Sequence, residues 1–427
     1  MEKAYDFYKH YELVKKNPNE YVLPTTIEHA LLPAEVIVDP KDERYNVDRQ
    51  LQRTVNFGVC CTKGGRIFMS YFSADNHADE NIGNWIVAIC SDDGGKTFRN
   101  AFVVNPPNIY TTRVYDGLFW IDPKGRMWYL YAQCFGRMDG RVGVWAIRCD
   151  DPDADKLVFT KPRRLCDGVV SNAPIVLKDG RWIISTYIWD PSAFHGDFHD
   201  DFETTDIIWL PENVGVSVHA SSDEGETFEQ IATNIRFPYA SFYENCIVER
   251  GDGSLWMMIR GMNCTGQTFS YDGGHTWTIA TVNGALPLPN SHFCLYRLKS
   301  GNILLVANYK ANMFSYFIGR NNLTALISTD DGKTWGEHCL LLDAREGSEQ
   351  PAVHEADDGF IYISYGRAPQ LAGESLLAIV TEEDILAGKL VNPKSRLKIS
   401  AERSTGMKKV SYYAELLAIG KKYGIEM

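Results

Sequence analysis

The stretch Ser328-Thr-Asp-Asp-Gly-Lys-Thr-Trp335 decides the fold of this chain, because its pattern returns at three other places. Each copy reads Ser-x-Asp-x-Gly-x-Thr followed by Trp or Phe, and the other copies are Ser91–Phe98, Ser221–Phe228 and Ser270–Trp277. The pattern predicts a tight turn in which the Asp side chain caps backbone amides, the Gly is left-handed and the aromatic ring packs on a sheet. We call these segments the Ser-x-Asp turns, and their recurrence indicates a repeat architecture.

Apolar hairpins alternate with the Ser-x-Asp turns. In each hairpin a short apolar strand leads into a polar turn that ends in Gly, and a second apolar or aromatic strand follows. The turn glycines are Gly65, Gly125, Gly180, Gly253, Gly301 and Gly359. Gly supplies the positive φ of tight hairpins, and a spacing of about 60 residues suits a four-stranded blade. The sequence therefore predicts an all-β, six-bladed β-propeller.

The chain ends differ from the repeats and set the predicted domain boundaries. Residues 46–400 are predicted to form the propeller, residues 1–45 a helical or extended N-terminal segment, and residues 401–427 a helical C-terminal segment. Both end segments are expected to pack on the outside of the propeller. The N-terminus is too charged for a signal peptide, and no apolar run is long enough to span a bilayer.

The composition limits the possible partners. With a net charge of -12, the protein is expected to bind neither nucleic acid nor membrane, because its field repels phosphate backbones and anionic lipid. Any anionic ligand must be held by a few placed cations. The ten cysteines show no CxxC spacing, which favours a reducing, cytoplasmic compartment over a zinc site or a disulfide framework. No cofactor is expected, and the oligomeric state stays open.

The Ser-x-Asp turns match the Asp-box signature, and in them the chain resembles the sialidase-like (neuraminidase, BNR repeat) superfamily. That resemblance implies a carbohydrate-active propeller. In that superfamily the Asp-boxes lie on the outer strands, far from the pocket, so the resemblance gives these turns a structural role and no catalytic one.

The residues at the start of each innermost strand are the candidates for a central pocket, because the first strand of a propeller blade lines the axis. All of them are polar, although an apolar strand follows directly, which favours a ligand pocket over a plain solvent channel. They are Asp116, Ser171, Glu244, His292 and Gln350, each nine residues before a turn glycine, with Arg53 at the similar place before the longer first turn.

Three arginines are predicted to bind the substrate. The segment from Glu244 to Arg260 resembles, without a gap, the sialidase segment that supplies a carboxylate and one arginine of a triad. Arg320, just before a Ser-x-Asp turn, resembles a second triad arginine, and Arg53 lies where the family opens its first blade, although Thr-Val follows it instead of Ile-Pro. Three convergent guanidinium groups would hold a sugar carboxylate. For each arginine, a surface salt bridge is the alternative.

The resemblance also implies an acid/base residue in the loop before Ser91. Counting back from Ser91 gives Asp79, with Asp75, His77 and Glu80 as close competitors. A general acid in this position needs a raised pKa. A loop with four ionisable groups is also commonly just solvated.

The family pattern fails at the nucleophile. Retaining sialidases use a tyrosine nine residues before the last hairpin glycine, where this chain has Gln350. A one-residue shift gives Glu349, and Tyr243, Tyr362 and Tyr365 are near in sequence without occupying the matching place. Either another tyrosine folds into the pocket or the usual tyrosyl intermediate does not form.

Without that tyrosine, two residues are candidate bases for an attack by water. Glu244 opposite Asp79 would give inversion, and the imidazole of His292 is the second candidate. For His292, a purely structural hydrogen-bonding role is the alternative.

The long insertion in the third repeat contains His195, His199 and three aspartates up to Asp201. These are metal-ligand types, but an irregular loop lacks the helical spacing of known His pairs. We therefore predict no metal site and expect this insertion to form a rim that selects the sugar.

The sequence favours an exo-acting glycoside hydrolase that releases a terminal sialic acid or related acidic sugar. A lyase or neutral-sugar glycosidase on the same propeller is the second possibility. A carbohydrate-binding propeller without turnover is the third, because fold resemblance alone does not fix the reaction.

Overall fold

The structure is a computed structural model, which describes residues 27–42, 44–45, 52–74, 82–109, 111–136, 138–190, 211–240, 242–313, 319–367 and 373–403. The strands are β1 Glu35–Ile37, β2 Gln52–Cys61, β3 Ile67–Ala74, β4 Trp85–Ser91, β5 Arg99–Asn105, β6 Thr112–Ile121, β7 Met127–Phe135, β8 Gly143–Cys149, β9 Arg163–Asp167, β10 Ile175–Val176, β11 Trp182–Ile188, β12 Gly215–Ser221, β13 Glu229–Ile235, β14 Asn245–Glu249, β15 Leu255–Arg260, β16 Thr265–Ser270, β17 Thr281–Val282, β18 Cys294–Arg297, β19 Ile303–Asn308, β20 Leu323–Ser328, β21 His338–Asp343, β22 Ser348–Glu355, β23 Phe360–Arg367, β24 Glu374–Thr381 and β25 Arg396–Arg403. The described helices are α1 Glu382–Ala387 and two 3-10 turns, Ile27–Leu31 and Pro211–Asn213.

The strands form six antiparallel sheets, each built from four consecutive strands of the chain. The sheets are β2–β5, β6–β9, β10–β13, β14–β17, β18–β21 and β22–β25, and β1 adds a fifth strand to the outer edge of the first. We number these sheets as blades one to six. The prediction of a six-bladed β-propeller is confirmed.

The hairpin between the first two strands of a blade turns at the predicted glycine. Gly253 and Gly301, for example, have φ values of 85° and 91°, which a residue with a side chain rarely adopts. In blade four the amide of Gly253 donates to the carbonyl of Arg250 at 3.0 Å. These tight turns carry the chain from the inner strand to the second strand of the same blade.

The ring closes by packing between the first and last blades. Strand β2 of blade one packs against β22 and β23 of blade six on one side and against β6 of blade two on the other. A hydrogen bond links Nε2 of His354 and the carbonyl of Cys61 at 3.0 Å across the closure. His354 lies in β22 and Cys61 in β2, so this partly buried hydrogen bond joins the two strands that meet at the seam.

The Ser-x-Asp turns connect the third and fourth strands of blades one, three, four and five. In blade five, Oδ1 of Asp330 accepts from the amides of Lys333 (3.1 Å) and Thr334 (2.9 Å), and the Thr334 hydroxyl donates to Oδ2 at 2.6 Å. In blade three, the hydrogen bond from the Thr227 hydroxyl is the main cause that lowers the pKa of Asp223 to about 2. The aspartates cap their own turns, as the pattern predicts.

Several sequence predictions fall outside the described residues. They include the helical character of residues 1–26 and 404–427, and the insertion that contains His195, His199 and Asp201. Ile27–Leu31 belongs to the predicted N-terminal segment and packs against β7 of blade two. In the described parts of the chain, no helix is long and apolar enough to cross a membrane.

Candidate functional site

Glu244 and Arg260 face each other at one end of blade four. Glu244 directly precedes β14, Arg260 ends β15, and the amide of Arg260 donates to the carbonyl of Glu244 at 2.8 Å. The side chains repeat this pairing, because Nη1 of Arg260 donates to Oε1 of Glu244 at 2.8 Å. Both residues are buried. The strand pairing therefore fixes a buried ion pair at the place where the sequence predicts the pocket.

His292 binds the other oxygen of the same carboxylate. Its Nδ1 lies 3.2 Å from Oε2 of Glu244, and the ring is buried before β18 of blade five. Burial on its own would raise the pKa of Glu244, but the charge of Arg260 and the hydrogen bond of His292 outweigh burial and lower that pKa to about 2. Glu244 is therefore an anion at neutral pH.

Arg260 is held on the remaining edge of its guanidinium group by Asn290. Its Nε donates to Oδ1 of Asn290 at 2.8 Å and its Nη2 donates to the Asn290 carbonyl at 3.2 Å. The guanidinium carbon lies 4.6 Å from the centroid of the Phe242 ring, within the range of a cation–π contact. These contacts fix the orientation of the cation.

Arg320 reaches the same place from blade five. It lies between β19 and β20, and its Nη2 approaches the Asn290 carbonyl at 3.4 Å. Its Nη1 forms an ion pair with Glu349 on β22 of blade six. The Arg320 side chain is 27% exposed, whereas that of Arg260 is 4% exposed. Two of the three predicted arginines thus converge, and Arg320 is the one that solvent reaches.

Gln350 and Asp116 lie in bulges of the innermost strands. Their φ values are 57° and 49°, and the pairing of β22 with β23 and of β6 with β7 shifts register at these points. Bulges re-aim side chains, and left-handed backbone at residues other than Gly is concentrated at functional sites. Asp116 is buried with its Oδ2 3.4 Å from the Tyr187 hydroxyl. No partner for the buried Oε1 of Gln350 lies among the described residues.

The remaining predicted site residues are placed in part or not at all. The backbone of Arg53 lies on β2 and pairs with Ser73 on β3, but its side chain is outside the described part of the structure. Asp79 also lies outside the described residues, together with its competitors Asp75, His77 and Glu80. Ser171 is buried ahead of β10. The predictions for Arg53 and Asp79 therefore stay predictions. No group of three or more metal-ligand side chains occurs among the residues with described positions.

Sequence comparison assigns the family. A family model described as a BNR repeat-like domain matches residues 117–363, more than half of the chain. The chain belongs to this BNR repeat-like family. No curated protein matches this BNR repeat-like sequence significantly.

Solved structures share the fold of this BNR repeat-like protein at low sequence identity. The Hadza microbial sialidase Hz136 has a TM-score of 0.59 and 18% identity, over 79% of this chain and 67% of that one. A Dyadobacter fermentans protein of unknown function has a TM-score of 0.54 and 17% identity, over 78% and 94% of the two chains. The leech intramolecular trans-sialidase has a TM-score of 0.57 and 12% identity, over 83% and 71%. These likenesses confirm the sialidase-like fold and leave the reaction open.

Two of the tyrosines near the expected nucleophile position are engaged elsewhere in the BNR repeat-like chain. The hydroxyl of Tyr365 donates to Oδ2 of Asp343 at 3.2 Å, and Tyr362 lies beside Cys61 at the blade seam. Burial raises the pKa of both hydroxyls far above the usual range. Tyr243, next to Glu244, is also buried, and burial raises its pKa. Neither tyrosine of β23 therefore takes the place of the nucleophile at whose expected position Gln350 stands.

Sequence reasoning missed Asn290, which joins the two arginines. Its signal was available, since Asn290 belongs to the polar run that ends in His292, ahead of the apolar β18. Glu349 entered only as a one-residue alternative to Gln350, and the structure pairs it with Arg320. His292, Glu244, Arg260, Asn290, Arg320 and Glu349 form one connected network across blades four, five and six.

Proposed function

We propose that this chain is an exo-acting glycoside hydrolase that releases a terminal carboxylate-bearing sugar, a sialic acid or a related acidic sugar. The convergence of Arg260 and Arg320 on the carbonyl of Asn290 carries this proposal. Guanidinium groups from two blades meet at one point of a protein whose net charge is -12. Such a point suits a carboxylate, because guanidinium groups form charge-assisted, directional hydrogen bonds with it.

The sugar carboxylate contacts Arg320 first in this proposal, since its side chain is partly exposed and Arg260 lies deeper. Arg53 supplies a third cation from blade one. A solved structure with the same fold, the leech trans-sialidase, contains 2,7-anhydro-Neu5Ac. The bound ligand belongs to the leech protein, and it supports the choice of an acidic sugar for the present chain.

The proposed reaction inverts the anomeric centre, because Gln350 cannot act as a nucleophile. Asp79 gives its proton to the glycosidic oxygen as the bond from that oxygen to the anomeric carbon breaks. A water molecule attacks the same carbon and loses a proton to a base. A pKa of about 2 makes Glu244 a weak base at neutral pH. We therefore assign proton abstraction to His292, and Glu244 orients both His292 and Arg260.

A lyase or a neutral-sugar glycosidase on the same propeller is the second candidate, and one specific observation favours the neutral-sugar glycosidase. Each described arginine of the network already faces a carboxylate, Arg260 facing Glu244 and Arg320 facing Glu349. The local charge is therefore balanced before any ligand binds. A substrate carboxylate has to share Arg320 with Glu349 or displace Glu349 from Arg320.

A panel of aryl glycosides of sialic acid, glucuronic acid and glucose separates these candidates. Release of the aryl alcohol gives the rate, and proton NMR of the first-formed sugar gives the anomer. Turnover of an acid sugar with inversion supports the proposal, and turnover of the glucoside alone supports the second candidate. Binding on a glycan array without release of any sugar indicates a non-catalytic propeller.

A further inference from the structure

Two methionines are exposed to solvent beside the network, although methionine is otherwise a core residue of the described chain. Met262 is 53% exposed and Met313 is 37% exposed. They lie in the loops that follow β15 and β19, at the end of the blades where Arg260 and Arg320 lie. The other methionines with described positions are all buried, namely Met69, Met127, Met138, Met257 and Met258.

Met262 contacts the residue that holds both arginines. Nδ2 of Asn290 donates to Sδ of Met262 at 3.1 Å, while Oδ1 of the same amide accepts from Arg260. The Asn290 carbonyl faces Arg320. One side chain therefore separates this exposed thioether from the guanidinium groups that the proposed function uses.

Met313 packs against the backbone that carries Arg320. A Cβ atom at Gly319 would lie 2.7 Å from Sδ of Met313 and 2.8 Å from Cβ of Pro289, so a side chain at position 319 would crowd both. Gly319 directly precedes Arg320, and Pro289 directly precedes Asn290. Met313 therefore borders the exposed arginine from blade five, as Met262 borders it from blade four.

Tyr239 adds an aromatic ring to the same edge. Its side chain is 57% exposed, and its carbonyl accepts from the amide of Met262 at 2.7 Å. The ring centroid lies 5.5 Å from that of the buried Phe237 in an edge-to-face arrangement, which favours one orientation of the tyrosine. We call Tyr239, Met262 and Met313 the apolar rim. Apolar side chains that cluster in water mark a binding surface, whereas scattered ones are ordinary.

Exposure to solvent increases from the network to the apolar rim. The Arg260 side chain is 4% exposed and that of Arg320 is 27% exposed, and all three rim residues are more exposed than either arginine. A ligand whose carboxylate is held by Arg320 extends past the rim where it leaves the pocket. In an exo-acting hydrolase the terminal sugar enters the pocket and the leaving group stays outside. The rim is therefore placed to contact the leaving group.

The side chains of the rim favour an apolar leaving group. Thioethers are polarizable, flexible and only weak hydrogen-bond acceptors, so methionine adapts to alkyl and aryl groups of different shapes. A sugar as leaving group needs hydrogen-bond partners for its hydroxyls. Among the three rim side chains, the Tyr239 hydroxyl is the one strong donor.

We propose that the apolar rim is a subsite for an alkyl or aryl leaving group, so that the substrate is an acidic sugar joined to a hydrophobic aglycone. This inference rests on the proposed hydrolase function and adds to it the chemical class of the group that is released. Arg320 holds the acidic end of such a substrate, and Tyr239, Met262 and Met313 contact its apolar end.

Isothermal titration calorimetry of the full chain with S-linked methyl and octyl α-sialosides tests this subsite. The sulfur linkage resists hydrolysis, so binding is measured without turnover. A double variant, Met262→Gln with Met313→Gln, removes both thioethers, and Gln at position 262 keeps an acceptor for Asn290. Tyr239→Ser removes the ring independently. Thermal melts check that each variant folds.

The controls are exposed apolar residues of blade four away from the network. Tyr271→Ser and Ile279→Gln match the rim substitutions, since Tyr271 is 73% exposed and Ile279 is 90% exposed. Tyr271 follows Ser270, which pairs with Leu255 at the end of β15 opposite Arg260, and Ile279 lies ahead of the outer strand β17. Both controls should bind the octyl sialoside as the unmodified chain does.

The octyl sialoside should bind to the unmodified chain at least about tenfold more tightly than the methyl sialoside, since burial of roughly two methylene groups gives this factor. In the double methionine variant and in Tyr239→Ser this preference should fall to about threefold or less, with methyl sialoside binding unchanged. Three results overturn the proposal: similar or no binding of the two sialosides, a preference that both rim variants keep, or an equal loss of both sialosides, which would place the rim on the sugar itself. Failure of the hydrolase function would appear separately, as binding of the octyl sialoside without release of octanol from its O-linked form.

Discussion

Arg260 of blade four and Arg320 of blade five direct their Nη2 atoms at one oxygen, the carbonyl of Asn290. The two arginines are sixty positions apart along the chain and meet because blades four and five pack side by side. Arg260 is buried and fully engaged, whereas Arg320 is partly exposed. This division gives the site a fixed cation and a reachable cation, and the predictions below test their separate roles.

Arg320→Ala should raise KM for an acidic aryl glycoside about 10- to 100-fold, because a charge-assisted hydrogen bond to the substrate is lost. Arg320→Lys should recover part of the loss, since Lys keeps the charge without the planar fork. Steady-state kinetics measure both. Arg181→Ala, at an exposed pair with Asp179, is the control and should behave as the unmodified chain. An unchanged KM for Arg320→Ala would exclude Arg320 from substrate binding.

Glu244→Gln should lower the free energy of unfolding by about 3–5 kcal/mol, because Arg260 would remain buried without its anion. Urea unfolding at neutral pH measures this loss. A pKa of about 2 in the folded state lies below the ordinary value of 4.5. The stabilisation by Glu244 is therefore present above pH 4.5 and is lost as the pH falls towards 2. Glu244→Gln should not show this loss of stability in acid. Identical profiles of the free energy of unfolding against pH for the variant and the unmodified chain would contradict the lowered pKa of Glu244.

Much of this fold could be predicted from the sequence, because its determinants are local. The glycine of a tight hairpin, such as Gly253, and the capping aspartate of a turn, such as Asp330, act on backbone within a few residues. Counting back from the hairpin glycines also located Glu244 and His292, since strand length relates the two ends of a hairpin. These two residues do meet in the structure.

The network itself depends on contacts between blades, which one sequence does not reveal. Asn290 joins two arginines through its backbone carbonyl. Every residue has such a carbonyl, so the residue type at position 290 does not predict this contact. The left-handed backbone of Gln350 was equally hidden, because Gln carries no preference for it. Helix α1 takes the place of a Ser-x-Asp turn in blade six. Its capping box of Thr381 and Asp384 was a readable signal that sequence reasoning passed over.

Gln350→Tyr should not create a tyrosine nucleophile. The φ of 57° at this position costs Tyr about the same 1–2 kcal/mol that it already costs Gln, so stability should change little. Glu244, which would have to activate the new hydroxyl, is already engaged by Arg260 and His292. The product anomer should stay inverted, as NMR of the fresh product can show. Gln350→Gly is the control that accepts this φ without strain. A retained anomer from the Tyr variant would show that the site still accommodates the usual intermediate.

Asp79→Asn should slow the release of an alkyl leaving group far more than that of 4-nitrophenol, because only a poor leaving group needs a proton from a general acid. A loss of about 100-fold or more is expected for the alkyl glycoside. Asp75→Asn is the matched variant in the same loop and should change neither rate. If Asp75→Asn shows the leaving-group dependence instead, the acid is Asp75.

Asp272→Ala in the Ser-x-Asp turn of blade four should affect stability alone. It removes acceptors for the amides of His275 and Thr276 and for the Thr276 hydroxyl. A fall in Tm of about 2–4 °C follows for a domain of this size, with kcat/KM unchanged for any sugar that the chain cleaves. A large loss of activity at unchanged Tm would give this turn a role that its distance from the network does not suggest.

The central claim is that Arg260 and Arg320 hold a substrate carboxylate, and a pair of substrates that differ only in that group tests it most directly. The measurement is kcat/KM for an aryl sialoside and for its methyl ester, with the unmodified chain and with Arg320→Ala. The account predicts that the unmodified chain prefers the acid by about 100-fold or more, and that Arg320→Ala loses most of this preference. Equal rates on acid and ester, or a preference that survives the loss of Arg320, would contradict it.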